Sequence, residues 1–193
     1  LIGVPAVIGL VMLAEPIILT LFERGEFNSQ DSLQASYSLI ALAFGLVAFM
    51  LIKILTPSFF ARQEPKTPMF VALASMILNA LLAWYLGFSL GYGHIGLALA
   101  SSISAFFTVI TLLVLLKLED VYRPSSGWLI FWLRLIFASL ILMVFLGYFG
   151  QDAISLRKFS NLTQIIYILK MVFLGMGLYV VALRLTGVRI KDF

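Results

Sequence analysis

Six apolar stretches, each long enough to cross a bilayer, leave little of this chain for anything else. They run Leu1–Phe22, Leu33–Ala61, Met69–Leu90, Ile95–Leu116, Trp128–Phe149 and Leu162–Leu183. A helix needs about 20 apolar residues to cross a hydrocarbon core of about 30 Å. Five stretches have 22 residues, and the second, with 29, is long enough to tilt or bend. Inside lipid every backbone polar group must be satisfied within the protein, so only helices or a closed barrel can span. The alternating strands of about ten residues that build a barrel do not occur here. The chain is expected to be an all-α integral membrane protein with six transmembrane helices.

Composition supports this. Of the 193 residues 62% are hydrophobic and only 11% charged, against roughly 45–50% and 25% in soluble domains. That leaves too little polar surface for a soluble enzyme. The net charge of +4 does not form a nucleic-acid patch, because the basic residues are scattered between apolar runs. With no cysteine and one histidine, neither thiolate chemistry nor a zinc site is expected. No catalytic constellation, phosphate-cradling glycine loop or paired acidic metal motif is present, so no cofactor is expected. The chain opens on Leu1 in an apolar run, without the charged start or cleavage site of a signal peptide. It is read as a piece of a longer protein whose N-terminal part lies outside it.

Orientation follows from loop Lys and Arg. One side collects Arg62, Lys66, Lys117, Arg123, Arg134, Arg184, Arg189 and Lys191, the other only Arg24, Arg157 and Lys158. The richer side is expected to be cytoplasmic, with the C-terminus inside. Trp84, Tyr85 and Tyr92 then fall at the outer interface, and Trp128 and Trp132 at the inner one. The connections are short. Asp31 and Ser32 are candidate N-caps for the long second helix, Pro65 and Pro68 break the chain before the third, and Gly91 and Gly93 form the turn before the fourth.

Lys53 is the most informative side chain. It lies in Leu51-Ile-Lys-Ile-Leu55, nine residues from Arg62, or about 13 Å of helix rise. A lysine at such depth costs at least about 2.5–3.5 kcal/mol, so it faces a watery cavity or a carboxylate, or else snorkels along its stem. Pro57, four residues on, frees the Lys53 carbonyl and can bend the helix. Glu15 precedes Pro16 in the first stretch, where Pro5 and Pro16 share a face. It is a candidate counter-ion for Lys53, a proton-coupling carboxylate, or a residue near the outer headgroups. Asn79 lies mid-span and suits an interhelical hydrogen bond or a place in the cavity. Lys170 can snorkel, His94 sits in a surface turn, and Ser101, Ser102 and Ser104 offer small surfaces for close helix packing.

Two motifs carry a resemblance. Leu21-Phe-Glu-Arg-Gly-Glu-Phe27 followed by Asp31, and Lys53-Ile-Leu-Thr-Pro-Ser-Phe-Phe-Ala-Arg-Gln-Glu-Pro-Lys-Thr-Pro68, resemble the bacterial lipid II flippases of the MurJ family. Gly96-Leu-Ala-Leu-Ala100 and Gly187-Val-Arg-Ile-Lys-Asp-Phe193 are similar too. The resemblance implies a fragment of a fourteen-helix exporter fold, about helices nine to fourteen. Residues 1–120 are then four helices of the C-terminal transport lobe, and 121–193 two additional helices forming a groove for the polyprenyl tail. It also implies alternating access that carries lipid II, the polyprenyl-pyrophosphate-linked precursor of peptidoglycan, from inner to outer leaflet of the bacterial inner membrane. Lys53 becomes a cation of the substrate cavity, with membrane lipids and the N-terminal lobe of the same protein as partners and no nucleic acid. The readings left beside it are a related exporter of lipid-linked oligosaccharide or drugs, and a non-transporting membrane scaffold.

Overall fold

The computed structural model describes residues 1–23, 28–119, 128–150, 153–157 and 159–186. The loop cations Arg24, Arg123, Lys158, Arg189 and Lys191, the side chain of Trp128 and the ending Gly187–Phe193 lie outside the described residues. The elements are α1 (Gly3–Met12), α2 (Ala14–Phe22), α3 (Ser29–Ala61), α4 (Lys66–Trp84), α5 (Gly93–Leu118), α6 (Trp128–Phe149), α7 (Ala153–Leu156) and α8 (Asn161–Leu185), with a π turn, Tyr85–Ser89, extending α4. Among the described residues five helices are long and apolar enough to cross a membrane, and α1 with α2 makes a sixth span if the bent pair is taken together.

That pair corrects the single helix expected over Leu1–Phe22. The two halves meet at 67°, with Leu13 between them at φ −107°, ψ 12°. Pro16 has no N–H to return to the Met12 carbonyl, and its ring presses on that carbonyl. The chain turns at the next residue.

Asn28, not Asp31 or Ser32, caps α3. Its Oδ1 accepts from the backbone N–H of Gln30 at 2.8 Å and of Asp31 at 3.1 Å, while Asp31 Oδ2 accepts from the Asn28 N–H at 3.1 Å. This is a reciprocal capping box with Asp31 as its third-position partner. Ser32 is fully buried one residue further in. At the other end, the Glu64 N–H reaches the Phe59 carbonyl and the Gln63 N–H the Phe60 carbonyl, both at 3.0 Å. That pattern is a Schellman motif, and Gln63 fills its left-handed position at φ 59°, where glycine is usual. Pro65 and Pro68 open α4 rather than ending its predecessor, in a first turn that needs no amide donors.

Contacts gather the helices into two compact units, Leu1–Ser36 with Ser125–Phe193, and Tyr37–Pro124. The first joins α1 and α2 to the C-terminal helices α6–α8. The reason is apolar packing: Leu13 shares one core with Leu135, Leu142 and Leu146 of α6 and Met171 and Tyr179 of α8. Tyr167 donates its hydroxyl to the Phe149 carbonyl at 2.9 Å, and Tyr179 to the Leu1 carbonyl at 3.0 Å. Gln164, buried in α8, gives its amide nitrogen to the carbonyls of Leu156 at 3.0 Å and Phe159 at 3.1 Å. Arg134 and Arg184, counted with the loops, lie within α6 and in the last turn of α8.

In the second unit α3 packs on α5 through small residues. Ser102 donates to the Ala41 carbonyl at 2.6 Å, and a Cβ on Gly45 would meet Ser102 Oγ at 2.6 Å and its Cα at 2.9 Å. Ala48 continues this seam against Ala105 and Val109, so the serine cluster serves close packing. Phe59 fills a second core with Val71, Leu112 and Leu116. Where α4 meets α5, Gly96 lies so close that a Cβ there would be 2.6 Å from the Leu86 carbonyl carbon and 2.7 Å from the Gly87 nitrogen. The π turn of α4 falls at this approach. Gly91 and Gly93 take φ of +73° and +51° in the connecting turn.

Candidate functional site

Lys53 sits on the face of α3 opposite its packing seam. Met50, Lys53, Pro57 and Phe60 follow one another at helical spacing, and all four are exposed. An ammonium therefore stands in an apolar stripe, eight residues before the helix ends at Ala61. Among the described residues no ion pair involves it. The helix runs on through Pro57, whose missing N–H leaves the Lys53 carbonyl without its usual partner. One residue later, Ser58 donates its hydroxyl to the Leu55 carbonyl at 2.6 Å.

Asn79 occupies a different place in the same unit. It lines a niche of about 450 Å³ with Ile52, Ser75, Met76, Ala80 and Thr108. The niche is neutral and hydrogen-bonding. Asn79 donates its amide to Ser101 Oγ at 3.4 Å, and the Ser104 carbonyl accepts from Ser75 at 2.9 Å and Thr108 at 3.0 Å. Thr108 is a lining residue that sequence reading did not single out; its place one turn beyond Ser104 on the buried face of α5 was the available signal. Lys53 follows Ile52 in the chain but does not line the niche.

Glu15 belongs to the other unit, half-buried in the first turn of α2 just past the break at Leu13. A carboxylate there suits the positive end of the new helix. Pro16 is buried beside it. Lys170 is exposed on α8, as is His94 at the start of α5.

Two ion pairs escaped sequence reading because their partners are distant in the chain. Arg62 is hydrogen-bonded to Glu119, just past the end of α5, and lies 3.7 Å from Glu64. The Glu119 carboxylate holds its guanidinium above the ordinary arginine range. Arg157 grips Glu23 with two nitrogens. Among the described residues no three metal-ligating side chains cluster.

Long apolar helices, a cation inside one span and a polar niche between two others define a polytopic α-helical membrane protein. Comparison with known proteins gives the family: the model described as "Lipid II flippase MurJ" matches residues 1–173, so the chain belongs to that family of membrane transporters. The probable lipid II flippase MurJ of Vibrio cholerae is 37% identical over 98% of this chain and 36% of its own length. Its counterpart in Haemophilus influenzae is 35% identical with the same coverage, and the lipid II flippase MurJ of Burkholderia cenocepacia is 34% identical over 74% of this chain and 27% of its own. The chain thus spans about a third of the length of these relatives.

Proposed function

We propose that this chain supplies the C-terminal helices of a lipid II flippase, which carries the lipid-linked peptidoglycan precursor from the inner to the outer leaflet of the bacterial inner membrane by alternating access. The rest of the parent protein provides the facing lobe, membrane lipids surround it, and the C-terminus is cytoplasmic. The observation that carries this reading is Lys53, a lone cation on an exposed apolar stripe. Facing lipid, such a charge costs several kcal/mol; facing a hydrated cavity, it attracts the substrate's pyrophosphate through charge-assisted hydrogen bonds. Asn79 and Glu15 are secondary candidates, the first as a neutral donor, the second as a coupling carboxylate. Pro16 marks the bend between α1 and α2 and Pro57 a point at which α3 can bend, and residues 121–193 line the path of the polyprenyl tail.

The test is complementation by the full-length parent in cells depleted of their own flippase, with membrane levels checked. Lys53→Ala is expected to fail and Lys53→Arg to rescue. Full activity of well-expressed Lys53→Ala would refute the cavity role.

A further inference from the structure

We infer that the outward face of α8 docks a transmembrane helix of a second membrane protein, one that carries an aspartate or glutamate at the depth of Lys170. The inference rests on the membrane placement of α8 and does not depend on the transport reading.

α8 buries one face. Met171, Tyr179 and Ala182 enter the core shared with α6, and a Cβ on Gly175 would meet Leu142 at 3.0 Å. The opposite face carries Ile166, Lys170, Phe173, Gly177, Val180 and Arg184, and every one of them is exposed. Their steps of four, three, four, three and four residues are those of a heptad seam. Transmembrane helices commonly pair along such a seam at a left-handed crossing, and a small residue within it lets the backbones approach. Gly177 is placed for that approach, since nothing lies within 4 Å of a Cβ built on it.

Lys170 says what the seam takes. It lies nine residues past Asn161, the start of α8, or about 13 Å of rise. Its neighbours one turn away, Ile166, Phe173 and Leu174, are exposed and apolar. Among the described residues no ion pair involves it, and Glu15 of the same unit is not its partner. Charged side chains within a bilayer pair with an opposite charge or reach for an interface. A second copy of this chain, offering the same face, would set Lys170 against Lys170, so the charge points to a different chain. A carboxylate at that depth neutralises the lysine, and an ionic contact inside an apolar seam fixes the register of the two helices.

The experiment uses the full-length parent in phospholipid vesicles, with a dye at Leu185→Cys. The probes are labelled single-span peptides of leucine and alanine that carry Glu, Lys or Leu at the depth of Lys170, and energy transfer reports association. Wild type is expected to bind the Glu peptide about tenfold more tightly than the Leu peptide. Lys170→Leu should abolish that preference, and Lys170→Glu should transfer it to the Lys peptide. Gly177→Leu should weaken all three peptides while leaving the unfolding midpoint of the parent in place. Equal binding of Glu and Leu peptides to wild type would overturn the proposal and leave Lys170 reaching for the headgroups. So would a preference that survives Lys170→Leu, or Gly177→Leu binding as wild type does. Energy transfer between two labelled parents without peptide would assign the seam to a second copy and overturn it as well.

Discussion

Arg157 and Glu23 stand 134 residues apart in sequence and are joined by two parallel contacts, Nε to Oε1 at 2.9 Å and Nη2 to Oε2 at 3.1 Å. The pair ties the end of α2 to the segment after α7, which Gln164 in turn holds to α8. Exposed ion pairs contribute about 0.2–1 kcal/mol, and paired Arg–carboxylate geometry lies at the favourable end. Glu23→Ala and Arg157→Ala should each lower the stability of the purified parent by about 1 kcal/mol. The double variant should lose less than the sum. Thermal unfolding at low and high salt checks this, since a true ion pair weakens with salt.

Gln63 holds a left-handed conformation that costs a non-glycine residue roughly 1 kcal/mol. Gln63→Gly is expected to stabilise the turn between α3 and α4 by about that amount, less the entropy glycine adds to the unfolded chain. Gln63→Pro should be strongly destabilising, because it removes the N–H that bonds Phe60 and cannot adopt the positive φ. Unfolding midpoints of the two variants should move in opposite directions.

Gly45 and Ser102 form a contact that admits no added atom. Gly45→Ala is expected to cost about 1–3 kcal/mol through overpacking. Ser102→Gly should recover only part of this, since the Ser102 Cα itself lies 2.9 Å from the new methyl position. Full recovery in a double-mutant cycle would show that the hydroxyl alone sets the helix separation.

Gly96 and Gly177 give a matched pair. A methyl on Gly96 would strike the backbone of Leu86 and Gly87, while nothing lies within 4 Å of one on Gly177. Gly96→Ala should destabilise by about 1–3 kcal/mol. Gly177→Ala should be neutral or should stabilise α8 by up to about 1 kcal/mol. Equal effects in thermal unfolding would argue against the close approach at the π turn.

Pro16→Ala restores the N–H that Met12 lacks and removes the ring that crowds its carbonyl. The 67° bend should relax, with spin labels at Ile8 and Leu21 moving apart in pulsed distance measurements. An unchanged distance would place the cause of the bend in the packing of Leu13.

Much of the fold was legible because the bilayer imposes a length on apolar runs, and five spans carry their residues close to the expected limits. The break at Leu13 was not, although Pro16 was visible: a proline says that a helix can bend, while the angle depends on the core that receives Leu13. Asn28 was missed as a cap because the apolar run starts five residues later, and polar helix turns carry no hydropathy signal. Lys53 and Asn79 stood out as polar residues in apolar runs, but only the structure separates an exposed stripe from a niche between helices. Glu119 and Glu23 gave no local sign, since their partners come from elsewhere in the chain.

The kinked first span also bears on assembly in the membrane. Its parts, α1 and α2, meet at Leu13 at 67°. The bend lies in the apolar stretch Leu1–Phe22, with Glu15 its one charged side chain. The residues that cover Leu13 belong to α6 and α8, which emerge more than a hundred residues later. The core that receives Leu13 is thus complete only once α6 and α8 are in place.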